Sequence, residues 1–218
     1  MNSALAIFCK TIGLSEVKTR LAKTIGKEKA TEFYRLSQKC ILELKTEVKL
    51  KHNITPYIAV AEKEGTTHSD WQTHNPLYTG AGSLGERLYH IYRTLKQKHN
   101  SVLIIGSDSP QLTTQTIIQA QTLLQQTPIV IGASYDGGFY LFGSTLELSK
   151  EIFTTVKYSQ EDTLHQLENN LVHYKIAYLD KKEDADEIED VKRIYAVMRE
   201  MNLTDTQEEL LEYIKTLL

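Results

Sequence analysis

Short runs of consecutive apolar residues alternate along this chain with longer stretches in which apolar residues recur every three or four positions. Ala4–Cys9, Pro56–Ala61, Val102–Ile105, Pro128–Ile131, Phe139–Phe142 and Lys175–Leu179 are too short for buried helices and read as strands. From Glu28 to about Val48, Phe33, Cys40, Ile41, Leu44 and Val48 follow a helical stripe, with Ser37 the polar exception. Ser83 with Glu86 three residues on is a capping box, and Leu84, Leu88, Ile91 and Leu95 form the apolar face of the helix it opens. Further helices are expected near Thr114–Gln126 and from Ser159 and Asp162 through Leu164, Leu167 and Leu171. Two more close the chain, one lined by Ile188, Val191, Ile194, Tyr195, Met198 and Met201, the other by Leu210, Leu211, Ile214 and Leu217 behind a Thr204–Gln207 box. Residues 62–79 show little periodicity and read as a long loop. Strands alternating with helices predict an α/β fold with a mostly parallel sheet. With no repeat or internal boundary, residues 1–218 are expected to form one domain, its last helices (about 187–218) a C-terminal extension.

Composition narrows the class. Hydrophobic residues at 41% and charged ones at 24% are those of an ordinary globular protein, and a net charge of −3 argues against a polybasic nucleic-acid binder. That charge is uneven: residues 1–30 carry six Lys or Arg against two Glu, whereas residues 180–218 carry twelve acids against six bases. Cys9 and Cys40, in no metal-like spacing, fit reduced thiols. The weakly apolar start reads as no secretory leader, no stretch is apolar enough for a membrane span, and a cytoplasmic location is expected.

The candidate chemistry lies where strands stop. Val102–Ile105 runs into Gly106-Ser107-Asp108-Ser109-Pro110, which leaves a carboxylate at a strand tip, where ligands of open α/β sheets bind; the competing reading is a turn or capping acid. After the first strand, Lys10, Lys18 and Arg20 supply the cations that a polyphosphate needs, or form a solvated basic loop. Gly80-Ala81-Gly82-Ser83-Leu84-Gly85 matches GxGxxG, but the run before it is polar and broken by Pro76, which speaks against a dinucleotide fold and equally against a nucleophile elbow. Asp136-Gly137-Gly138 permits close backbone approach to a ligand, or a tight hairpin. Asp184-Ala185-Asp186-Glu187-Ile188-Glu189-Asp190 follows the last strand, where acids also complement a helix dipole. His68 and His74 have no Cys partners that would suggest zinc.

In order, these segments resemble the GT-A-like nucleotide-diphospho-sugar transferase superfamily, and within it a bacterial glycosyltransferase-like "transferase 1" branch associated with radical-SAM and selenodomain proteins. That branch is similar to 2-phospholactate guanylyltransferase and the molybdenum-cofactor guanylyl- and cytidylyltransferases. The resemblance rests on Phe8-Cys9-Lys10, Lys18-Thr19-Arg20-Leu21-Ala22, Gly82-Ser83-Leu84-Gly85-Glu86-Arg87, Gly106–Pro110, Asp136–Gly143 and Asp184–Asp190. Ile12 stands where the pattern has Pro, Ser15 where it has Gly, and Glu187-Ile188 where it has Thr-Pro. It implies a Rossmann-like three-layer α/β/α fold with a mixed central sheet. It also implies a transferase using an activated nucleotide and Mg²⁺ or Mn²⁺, with a small-molecule acceptor. Asp108 would hold the metal with Asp186 or Asp184. Lys18 and Arg20, with Lys10, would neutralise the phosphates, and Asp108, Lys18 and Arg20 would carry catalysis. Gly82, Ser83 and Ser107 would line the nucleotide, and Asp136, Gly137 and Gly138 the acceptor. Glycosyl transfer is the first expectation. Nucleotidyl transfer with pyrophosphate release is the second, and a non-catalytic nucleotide-binding protein the rival from another class.

Overall fold

A computed structural model describes residues 2–218. The chain order is β1 (Ser3–Cys9), α1 (Thr19–Ile25), α2 (Lys27–Lys51), β2 (Ile54–Val60), a 3₁₀ turn (Glu64–Thr67), β3 (Pro76–Tyr78), α3 (Leu84–Lys96), β4 (Ser101–Gly106), α4 (Thr114–Leu123), β5 (Ile129–Ser134), β6 (Phe139–Ser144), α5 (Glu151–Thr154), α6 (Thr163–Asn170), β7 (Ile176–Lys182), α7 (Ile188–Met198) and α8 (Asp205–Lys215). The strands form one sheet in the order β3-β2-β1-β4-β6-β5-β7. Only β6 runs against its neighbours β4 and β5, so the carboxyl ends of the other six strands meet at one edge. The mixed, mostly parallel three-layer fold expected from the sequence is the one observed.

Period-two alternation explains the apolar runs. Leu5, Ile7 and Cys9 of β1 and Leu103 and Ile105 of β4 face α2 and α4, joining Ile41, Leu44, Val48 and Ile117 in one cluster. Ala4, Ala6, Val102 and Ile104 face the other way, onto Leu88, Ile91 and Leu95 of α3, Phe153 and Leu167. Strands covered on both faces must be apolar at every position, hence the continuous runs. A third cluster joins Leu21 of α1 and Phe33, Leu36 and Cys40 of α2 to α7 and α8. The polar exception, Ser37, is fully buried and donates its hydroxyl to the Phe33 carbonyl, so the helix satisfies it internally.

Three local expectations are corrected. The loop at 62–79 contains both the 3₁₀ turn and β3, because the fully packed Trp71 anchors it with an indole N–H to the Thr11 hydroxyl at 2.9 Å. Pro76 begins β3 at the outer edge of the sheet, a place where a missing N–H is tolerated. A strand therefore does precede Gly80, contrary to the sequence reading. Ser159 does not open α6: it lies at φ +60°, and the helix begins at Thr163. The Ser83–Glu86 and Thr204–Gln207 boxes are present as expected. Among the described residues no helix is long and apolar enough to cross a membrane.

Because Ser83 and Glu86 satisfy the first free amides of α3 reciprocally, Ser83→Ala is expected to cost about 1 kcal/mol. A fall in the urea midpoint at unchanged slope checks this; an unchanged midpoint would mean that the box contributes nothing.

Candidate functional site

The strand order reverses between β1 and β4, the position at which open α/β sheets form a ligand crevice beyond their carboxyl ends. Lys10 follows β1 and Asp108 follows β4, so two expected site residues flank that point. Lys18 is the residue before α1, in the left-handed region at φ 47° and ψ 45°. Such backbone is uncommon for a residue with a side chain and clusters at functional sites. It sends a side chain that is only 3% exposed to the Asp108 carboxylate, with Nζ 2.5 Å from Oδ1. The same ammonium donates to the Ala185 carbonyl at 2.6 Å and lies 3.9 Å from Asp186 Oδ1. Arg20 Nη1 donates to Asp186 Oδ2 at 3.0 Å. The basic N-terminal segment and the acidic C-terminal one thus meet here.

The tips of β4 and β7 are laced together. The Ala185 N–H donates to the Asp108 carbonyl at 3.1 Å, and the Ser109 hydroxyl to Asp184 Oδ1 at 3.3 Å. Whether Asp186 caps its own helix has a clear answer: Asp190 Oδ2 accepts from the N–H groups of Asp186 and Glu187 at 3.0 and 2.7 Å. Asp190 does the capping, and the Asp186 side chain is free to face Lys18 and Arg20. At the Glu187-Ile188 departure, Glu187 occupies the N-cap position and its N–H is held by Asp190 Oδ2. Likewise the turn after β1 bends at Gly13, at φ +90°, although Ser15 stands where the pattern has glycine.

Electrostatically the site is short of positive charge. Burial by itself disfavours a charged Lys18, but Asp108, Asp184 and Asp186 outweigh it and hold the ammonium pKa above its ordinary value. Burial, then Asp108, push the Asp184 carboxyl from 3.8 up to about 7 against the pull of Lys18. Burial also raises Asp186, with Lys18 and Arg20 opposing. Asp136, beyond β5, adds to the repulsion on both.

Other expected residues are more engaged. Ser107 is buried and donates its hydroxyl to Tyr34 Oη at 3.2 Å, and Ser83 is committed to its capping box. Gly82, at φ +97°, is exposed beside it. Lys10 is exposed, its ammonium on the Glu16 carbonyl at 3.0 Å. Asp136 Oδ1 accepts from the Gly138 N–H at 2.9 Å within the β5–β6 hairpin, so the hairpin reading holds. At Gly137, φ +87°, a Cβ would come within 1.8 Å of the Glu161 carbonyl oxygen, which requires glycine there for packing alone. The sequence reading missed Arg87. Its guanidinium donates to the carbonyls of Gly82 at 3.1 Å and Ala61 at 3.2 Å, fastening the glycine loop to the tip of β2. Its place in the Gly82–Arg87 motif was the available signal.

The fit to a divalent ion can be judged from these donors. Among the described residues no three His, Cys, Asp or Glu side chains form a cage of their own. Mg²⁺ does not need one, since it is characteristically held by one or two carboxylates together with substrate phosphates and water. Asp108 and Asp186 each turn a hard oxygen toward the Lys18 ammonium, and two such carboxylates are a donor set that fits the ion.

Comparisons with known proteins agree with the fold. Residues 44–160 match the family described as uncharacterized proteins conserved in bacteria (DUF2064), and the chain belongs to that family. No curated protein matches. The structure is similar to a candidate nucleotide-diphospho-sugar transferase from Desulfovibrio desulfuricans G20, with TM-score 0.86 and 21% identity, covering 99% of this chain and 97% of that one. It is also similar to a cytidylyltransferase from Leptospira borgpetersenii (TM-score 0.58, 15% identity, 99% and 94% covered). A third likeness is to 4-diphosphocytidyl-2C-methyl-D-erythritol synthase from Anaerococcus prevotii (0.57, 11%, 90% and 98%).

The raised Asp184 pKa has a stability consequence. Between 3.8 and about 7 the folded protein holds a proton that the unfolded chain has lost, so this group's contribution falls as pH rises through that window. In metal-free buffer the melting temperature of the wild type relative to Asp184→Asn should decline from pH 5 to pH 8. A difference independent of pH would show that Asp184 is ionised throughout.

Proposed function

We propose that this DUF2064 protein is a nucleotidyltransferase, which moves a nucleotidyl group from a nucleoside triphosphate to a small phosphorylated acceptor and releases pyrophosphate. The observation that carries this reading is the buried Lys18–Asp108 pair beside the switch point, with Lys10 and Arg20 supplied by the same turn and helix. A triphosphate brings one more phosphate than a nucleotide-diphosphate sugar, and the cations gathered on this turn and helix suit that charge.

In this mechanism an acceptor phosphate oxygen attacks the α-phosphorus, the α–β bridging P–O bond breaks, and the electron pair leaves with pyrophosphate. Arriving phosphate oxygens take Asp108's place on the Lys18 ammonium, while Arg20 and Lys10 neutralise charge that develops on the leaving group. Asp108 and Asp186 would hold a Mg²⁺ or Mn²⁺ ion, which when bound supplies further neutralisation of the phosphate oxygens. The backbone of Gly82, fastened by Arg87, would face base or ribose. Asp136 and the docked backbone of Gly137 and Gly138 would position the acceptor. No covalent nucleophile is required, because positioning and charge stabilisation carry such a transfer. Glycosyl transfer is the second reading, favoured by one feature: Asp184-Ala185-Asp186 pairs two acids in the manner of a glycosyltransferase metal motif.

The assay that separates the two incubates the protein with each of the four NTPs, Mg²⁺ and a panel of phosphorylated small acceptors. Pyrophosphate release in one combination is expected; release of a nucleoside diphosphate from a nucleotide sugar, with no pyrophosphate from any NTP, would establish the second reading instead. In the active combination Asp108→Asn should lower turnover by on the order of a hundredfold, and unchanged turnover would remove Asp108 from the chemistry. Arg20→Ala should weaken binding of the triphosphate far more than that of the parent nucleoside; equal losses in calorimetry would make Arg20 a structural residue.

A further inference from the structure

The ladder between β1 and β4 ends at Phe8 and Gly106, just short of the segments that carry Lys10 and Asp108. Beyond that point the two tips are joined through a side chain of α2. Tyr34, 4% exposed, accepts the Lys10 N–H at 2.9 Å and the Ser107 hydroxyl at 3.2 Å on its phenolic oxygen, and directs its own proton to the Lys10 carbonyl at 3.4 Å. One turn further along the same helix face, the Gln38 amide donates to that carbonyl at 2.8 Å. The peptide N–H and C=O of Lys10 are therefore held by α2, and the residue preceding Asp108 is held by the same phenol. A ring needed only for packing could be phenylalanine. Here every partner of the hydroxyl belongs to the crevice edge.

We propose that Tyr34 is a positioning residue, which sets the separation of the cationic turn after β1 from the carboxylate tip of β4, so that the cations meet the phosphate while the carboxylate keeps its place for the metal ion. The proposal rests on the nucleotide-phosphate reading of the site for its purpose, though not for its geometry. Gln38 fixes the Lys10 carbonyl independently, so loss of the Tyr34 hydroxyl loosens the two tips without unfolding the helix contact. The ring itself remains buried in Tyr34→Phe.

Hydrogen–deuterium exchange on the full-length protein reads this without reference to activity. In Tyr34→Phe, segments 10–11 and 107–109 are expected to exchange at least about tenfold faster, while amides of Leu5–Ile7 and Leu103–Ile105 change only as global stability dictates. Thr11 is informative, because its N–H bonds to Glu62 Oε2 at 3.0 Å and loses no partner in the variant. Calorimetry with magnesium pyrophosphate should show affinity lowered about tenfold. Ser107→Ala cuts the bridge from the β4 side and takes over both measurements if Tyr34→Phe does not fold. Exchange that rises evenly over β1, β4 and α2, or local loosening with pyrophosphate affinity unchanged, would overturn the proposal. Should the wild type not bind magnesium pyrophosphate at all, the phosphate reading of the site fails, and the proposal with it as a device for holding phosphate, whatever exchange shows of the tips.

Discussion

A lysine ammonium with almost all of its side chain withdrawn from water has to be met by opposite charge and hydrogen-bond acceptors, or burial would strip its proton. Lys18 satisfies that condition with the Asp108 carboxylate and the Ala185 carbonyl, groups contributed by two segments far away in sequence. Meeting it requires three chain segments to converge: the start of α1, the tip of β4 and the exit of β7. The sheet order supplies the convergence, since β1 and β4 are neighbours and the Ala185–Asp108 backbone bond closes the distance to β7. The third apolar cluster, which packs α1 and α2 on α7 and α8, holds the same two charged segments together from behind.

The arrangement leaves a site that is overcommitted to negative charge. Asp108, Asp184 and Asp186 share the field of Lys18 and Arg20, and Asp184 is the carboxyl pushed furthest from its ordinary value. Burial is the first cause raising both Asp184 and Asp186 and repulsion among the carboxylates the next, and acids perturbed in this way gather at functional sites. In the proposed function an incoming cation, with phosphates to engage Lys18 and Arg20, would relieve that repulsion. The left-handed backbone at Lys18 is part of the same economy, because it directs a long side chain inward from a helix start.

Much of this was legible in the sequence because strand ends and polarity are local signals. Asp108 stood out because a fully apolar run breaks at glycine, acid and proline, whereas the acidic segment after β7 read equally as first-turn acids of the next helix. Whether Asp186 was a cap or a site acid could not be read from spacing, since Asp186 and Asp190 are chemically alike; the fold assigned the cap to Asp190. The short β3 was hidden by Pro76 and by the polar run before it, and it exists through pairing with β2 and the anchoring of Trp71. Tyr34 gave no usable signal, because a polar side chain on a helix reads alike whether it faces solvent or fastens a loop, whereas Arg87 was marked only by its place in the Gly82–Arg87 motif. GxGxxG was set aside for want of a preceding strand, and that ground fails. Its strand is there, but at the sheet edge, and Ser83 and Glu86 spend the helix-start amides on each other.

The central claim is that the point shared by Lys18, Asp108 and Asp186 receives phosphate and a divalent cation. Crystals grown with Mn²⁺ and pyrophosphate, measured at the manganese absorption edge, test it directly. The account predicts an anomalous peak between the carboxylates of Asp108 and Asp186, with pyrophosphate oxygens on Lys18 and Arg20 and the Lys18–Asp108 contact opened to admit them. An intact Lys18–Asp108 pair, with manganese and pyrophosphate bound elsewhere or absent, would contradict it.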